Sequence, residues 1–205
     1  QVITTDWLPP LDELVQKSME GIFGEKKIIF LHFLGSDRRD RLFFQKIIQP
    51  LNGFLARHEE YGIIIGYDVV NSNLNRRLNI RTKLACKAVY CYNYQQPWQL
   101  CSVLNKVDMI ITPKLHVGIV GATLSKSVIS LPLHSEKVKR YYKQIGSPER
   151  CVSLQEATPK IIEDMLERFH DKKITLSEAI IQAANKSLDI LEEVCKHYNV
   201  REVKQ

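Results

Sequence analysis

The chain has no run approaching the ~18 consecutive apolar residues that a membrane-spanning helix needs. Its first residues, Gln1 to Asp6, lack the basic and apolar regions of a secretory leader. Neither GxGxxG nor GxxxxGK[ST] occurs, so classical nicotinamide binding and P-loop chemistry have no support. There is no HExxH, no nucleophile elbow and no CxxC pair. The five cysteines, Cys86, Cys91, Cys101, Cys151 and Cys195, are odd in number and irregularly spaced. A disulfide framework or a structural zinc is therefore not expected, and no metal is assigned. Reduced, mostly buried thiols in a cytoplasmic protein fit better. Internal repeats and low-complexity tracts are absent as well.

What is present is ordinary globular material. Of 205 residues, 44% are hydrophobic and 25% charged, enough for one sizeable core. A net charge of +6 suits anionic ligands, or a membrane surface met peripherally, without selecting among them. The basic run Arg76, Arg77, Arg81, Lys83 and Lys87 reads as a solvated helix face or as a docking face for an anionic polymer or membrane. Few aromatics interleave with it, which argues against nucleic acid.

Residues 1–24 read as a lead-in arm or interdomain linker, with Pro9-Pro10 followed by a short helix from Leu11 to Met19. Residues 25–205 read as one domain. Lys27 to Leu34 is a nearly continuous apolar run ended by Gly35-Ser36-Asp37, the pattern of a buried strand. A helix is predicted from Asp40 to Ala56, with Leu42, Phe43, Ile47, Ile48, Leu51 and Leu55 inward and Pro50 kinking or interrupting it. Further strands are expected at 61–67, 88–92, 108–112, 127–131 and, shorter, 151–154. The helices between them include a basic one capped by Asn71 to Asn73 and running to about Cys86. Others are predicted from Pro97, over 115–124, and from Ser135 to Gly146. Two helices close the chain: one after Thr158-Pro159 with Ile162, Met165, Leu166 and Phe169 on one face, and one after the capping box Thr175 to Glu178. Ile180, Ala184, Leu188, Leu191, Cys195 and Tyr198 follow at helical spacing. This rhythm predicts a Rossmann-like, doubly wound α/β domain, with a mostly parallel sheet of about six strands and helices on both faces.

Ligands of such sheets bind beyond the carboxyl ends of the strands. Of the loops there, Pro113-Lys114-Leu115-His116 carries most chemistry: a cation and an imidazole at a helix N-terminus, where unpaired N–H groups and the dipole favour an anion. The competing reading is a hydrogen-bonded core histidine beside a solvated lysine. His134, Ser135 and Lys137 follow the next strand, with Ser135 as an N-cap and Lys137 as a phosphate ligand or a chance charge. Gly35, Ser36 and Arg38 supply a loop able to contact sugar or phosphate. Asp68 and Asp108 are carboxylates near strand boundaries with no partner at a fixed spacing.

The stretch from Asp108 to His116, then Ala122, Val128 to Leu131, Lys137-Val138 and Ile145-Gly146, resembles the polysaccharide pyruvyltransferase family. The likeness is close over 108–146 and covers 25–155 only in strand–helix order. It implies a carboxyl-terminal half of a two-domain, B-type glycosyltransferase-like enzyme whose other half lies outside this chain. The implied activity moves a pyruvyl group from phosphoenolpyruvate to two hydroxyls of a sugar, a carbohydrate acceptor in surface-polysaccharide synthesis, with no cofactor. By resemblance His116 is catalytic, while Lys114, Leu115 and Lys137 bind the donor. Lysine stands where the family has arginine, which keeps the charge and loses the bidentate fork. Two rivals remain: a B-type nucleotide-sugar glycosyltransferase domain and a non-catalytic binding domain.

Overall fold

The computed structural model describes residues 8–33, 37–68, 79–187 and 189–190. Five short apolar runs become strands: β1 (Lys27–His32), β2 (Tyr61–Asp68), β3 (Val89–Tyr94), β4 (Met109–Thr112) and β5 (Ser127–Ser130). They pair in the order β3-β2-β1-β4-β5, every pair parallel. The helices are α1 (Glu13–Phe23), α2 (Asp37–Arg57), α3 (Ile80–Lys83), α4 (Pro97–Leu104), α5 (Leu115–Thr123), α6 (Glu136–Gln144) and α7 (Pro159–Phe169). The described residues up to Ile174 form one compact unit and those from Thr175 onward a second.

Strand residues alternate between two faces, so each strand feeds two cores. Ile29, Leu31, Ile63, Ile65, Ile111 and Ile129 join one cluster with Phe43, Ile47, Leu51 and Phe54 of α2 and with Ile162, Leu166 and Phe169 of α7. The opposite face is closed by α1, whose Phe23 lies over Gly62, and by α5, which lies on Ile110 and Val128. That contact requires Gly121. A Cβ there would stand 2.6 Å from Ile110 Cδ1 and 2.9 Å from Val128 Cγ2, so the helix can lie this close only without a side chain. At the end of α6, Gly146 takes φ +71°; its N–H donates to the Lys143 carbonyl, and that of Ser147 to the Tyr142 carbonyl. This is the Schellman closure for which glycine is suited.

Five strands form instead of about six. Residues 151–154 reach the sheet only as a bridge from Cys151 to Ser130, with Val152 N–H donating to the Ser130 carbonyl and Leu154 N–H to that of Pro132. Pro132 has no N–H to give back, so the ladder stops there. The first helix begins at Glu13 instead of Leu11, because Asp12 caps it by accepting from Leu14 and Val15 N–H. Pro50 does not interrupt α2, and Leu42 lies 39% exposed instead of inward. Of the expected basic helix, 71–78 lies outside the described residues; α3 ends at Lys83, short of Cys86 and Lys87. The last helix starts at 178, with the Ser177 carbonyl accepting from Ile180 and Ile181 N–H, so Ser177 and not Thr175 stands at its cap. Leu188, Leu191, Cys195 and Tyr198 lie outside the described residues. No helix among the described residues is long and apolar enough to cross a membrane.

The fit of α5 gives a direct test. Gly121→Val should lower unfolding stability by about 2 kcal/mol or more, through overpacking against Ile110 and Val128. Urea denaturation measures it, and an unchanged midpoint would show that the sheet yields there freely.

Candidate anion-binding site

The strand order reverses at β1. The chain lays β2 and β3 on one side of it, then returns to lay β4 and β5 on the other. A crevice opens at such a reversal beyond the strand ends. Register pairs Leu31 with Ile111, which sets His32, the last residue of β1, beside Thr112, the last of β4.

These two residues are completely buried and joined: His32 Nδ1 lies 3.4 Å from Thr112 Oγ1. On its other side His32 Nε2 meets the Tyr94 hydroxyl at 2.9 Å, although Tyr94 ends β3, two strands away. Gly66 of β2 leaves room for Phe30 beside this pair. A Cβ there would strike the Phe30 ring at 2.0 Å, so Phe30 fills the space above it. The Phe30 and His32 rings of β1 stack on each other, and His32 stacks in turn on Tyr94 across β2, each ring centroid 6.0 Å from the next.

Burial, helped by the nearby Lys114 ammonium, pushes the His32 pKa down to about 3. The imidazole is therefore neutral at pH 7, and the field of Lys114 reaches it. Thr112 Oγ1 also accepts the Lys114 N–H at 3.0 Å, a two-residue turn that fixes the exit from β4 through buried Pro113. Lys114 is the N-cap of α5 and supplies no side-chain cap, and the first turn of α5 holds no acidic residue. Its leading N–H groups have no intrahelical acceptor. The edge thus combines a half-buried cation, a helix N-terminus and a neutral imidazole, an arrangement that favours an anion. Deeper in, the buried hydroxyls of Ser130 and Tyr142 make no hydrogen bond. The Ser130 hydroxyl is near enough to influence the Tyr142 phenol, whose pKa burial pushes upward. Gly118 gives the phenol its space: a Cβ there would stand 2.6 Å from the oxygen.

Leu115 is half-buried and His116 exposed, both in the first turn of α5. Ser135 holds the N-cap position of α6 without making the cap hydrogen bond, and Lys137 and His134 are exposed beside it. Arg38 is exposed in the first turn of α2, while Gly35 and Ser36 lie outside the described residues. Because β1, β4 and β5 are neighbours, the loops carrying Arg38, Lys114 to His116, and Ser135 with Lys137 all leave the same stretch of the sheet's edge. Asp108 sits at the opposite edge, where its Oδ2 accepts the Ile28 N–H at 2.8 Å. The side chain of Asp68 lies outside the described residues. His32, Thr112 and Tyr94 are absent from the sequence-based candidates. Their one signal was a histidine closing an otherwise apolar strand.

No protein-family model matches the chain, and no curated protein matches it. Solved structures do. The UDP-GlcNAc 2-epimerase of Methanocaldococcus jannaschii, in complex with UDP-GlcNAc and UDP, superposes with TM-score 0.59 at 12% identity, over 85% of this chain and 49% of that one. The likeness is one of fold: a parallel, Rossmann-like sheet with helices on its faces. Similar in the same way are the MnaA–UDP structure of S. aureus, with TM-score 0.52, 8% identity and coverage of 82% and 40%, and the UDP-forming α,α-trehalose-phosphate synthase of Burkholderia xenovorans, with 0.54, 11%, 77% and 39%. The chain spans half or less of the length of these proteins.

The buried imidazole makes stability pH-dependent. Its folded pKa lies below the ordinary value of 6.5, so the unfolded chain binds the extra proton between these limits. Stability contributed by neutral His32 should be complete above pH ~6.5 and erode as the pH falls toward about 3. Urea midpoints from pH 7 to 4 should fall more steeply in the parent than in His32→Gln. Equal slopes would mean that His32 is not buried neutral.

Proposed function

We propose that this half binds the phosphorylated donor of a sugar-modifying enzyme at the edge around Lys114. A UDP-type nucleotide sugar is the favoured donor. One observation carries the reading: at the strand-order reversal, Lys114 stands at the N-terminus of α5, which no side chain of its N-cap residue caps and whose first turn holds no acid. A diphosphate suits this setting, since it accepts N–H donors and gains from the helix dipole. The similar structures in complex with UDP or UDP-GlcNAc favour that donor. Ser135, free of a capping bond, and Lys137 extend the donor contacts, with Arg38 opposite. A carbohydrate or sugar-phosphate acceptor would come from a second half.

A second reading has its own support. Lys114, Leu115 and His116 open α5 in the order that the pyruvyltransferase resemblance requires, with His116 exposed to a ligand. With phosphoenolpyruvate as donor, His116 would give a proton to the methylene carbon as the two sugar hydroxyls form C–O bonds to the enol carbon and its bond to the phosphate oxygen breaks; of the two hydroxyl protons, one would restore His116 and the other leave as hydrogen phosphate. Lys114 and Lys137 would hold the donor's carboxylate and phosphate.

Amide NMR titrations separate the readings. UDP at millimolar concentration should shift residues 112–118, and Lys114→Ala should weaken binding about tenfold or more. A response to phosphoenolpyruvate with none to UDP would favour pyruvyl transfer. Silence toward both would leave a non-catalytic binding domain and defeat the donor reading.

A further inference from the structure

The edge opposite the crevice carries a cluster that the donor reading does not use. One nitrogen each of His58 and His170 and one carboxylate oxygen of Glu167 lie within 4.8 Å of one another. Three separate features bring them there. His58 follows the last residue of α2; Glu167 and His170 lie three residues apart at the end of α7, one helical turn and hence one side. Packing of α2 on α7 through the shared core then closes the group.

We propose that His58, Glu167 and His170 form a zinc-binding site that clasps the end of α2 to the end of α7. The donor set is two imidazoles and a carboxylate, which suits Zn²⁺ and its borderline neighbours far better than Mg²⁺ or Ca²⁺. The outer atoms are already arranged to aim the inner ones. His58 Nδ1 faces Glu60 Oε1 at 3.3 Å, leaving Nε2 inward, 3.0 Å from Glu167 Oε2. His170 Nδ1 faces Asp171 Oδ2 at 3.3 Å, leaving its Nε2 available. A carboxylate behind each imidazole fixes ring orientation and raises ligand basicity, the usual support of a metal-bound histidine. Arg57 grips the other oxygen of Glu167, with Nη2 2.8 Å from Oε1, and so turns Oε2 toward the histidines. Bond lengths of ~2.0–2.2 Å place tetrahedral ligand atoms roughly 3.4 Å apart, so closing from 4.8 Å needs only side-chain adjustment. Both histidine side chains keep partial exposure, 20% and 18%, which gives the ion a way in and leaves the fourth position to water. The cluster lies away from Lys114, so this inference stands apart from the donor reading.

Calorimetric titration of the tag-free, chelator-treated chain with zinc chloride tests it. One ion should bind per chain, Mg²⁺ should not compete, and saturating zinc should raise the melting temperature by about 5 °C. His58→Asn and His170→Asn should each weaken binding tenfold or more. X-ray absorption on the unmutated zinc-loaded chain should show two imidazoles and no sulfur, a readout that does not depend on how the variants fold. No saturable binding at millimolar zinc, unchanged binding in the double variant, or cysteine sulfur around the ion would each overturn the proposal.

Discussion

A single buried imidazole organises the edge on which the function rests. His32 ends the central strand, is fully enclosed, and links Thr112 of the neighbouring strand to Tyr94 of a strand two places away. A neutral ring can do this at modest cost, since both nitrogens have partners. A charged one would face the Lys114 ammonium across a medium with little power to screen it. Burial keeps His32 neutral, and the Lys114 field acts in the same direction. Thr112 extends the linkage to the main chain by holding the Lys114 N–H, which sets where α5 begins and where its free amides point.

The two edges of the sheet have different chemistry for reasons that begin in topology. Every strand is parallel, so all carboxyl ends share one edge and all amino ends the other. The carboxyl edge gathers cations and helix N-termini. The amino edge gathers helix C-termini with His58, Glu167, His170 and the Lys27–Asp171 pair, whose Nζ–Oδ1 distance is 2.7 Å. Ligands of opposite sign are the natural expectation for the two edges.

The strands were legible because burial on both faces writes itself as nearly unbroken apolar runs, such as Ile28 to Phe33 and Tyr61 to Tyr67. The α7 face, Ile162 to Phe169, was legible because its periodicity was strict. What escaped depended on partners distant in the chain. The sixth strand failed on one missing N–H at Pro132. Leu42 faced outward because the sheet contacts were met by Phe43 and Phe44 instead. Lys114 and His116 were found as a pair from their helix-opening position, yet the half-buried lysine acts on His32, a residue hidden inside an apolar run. His58 and Glu167 are 109 positions apart, and no spacing rule connects them.

The account depends on the Lys114 charge lying close enough to the enclosed His32 ring to act on it. Side-chain NMR of His32 tests this most directly, by following its ring nitrogens from pH 3 to 8 in the parent and in Lys114→Met. The account predicts a ring that stays neutral down to about pH 4 in the parent and takes up its proton at measurably higher pH once the ammonium is gone. Titration near the ordinary 6.5 in the parent, or an identical curve in the variant, would contradict it.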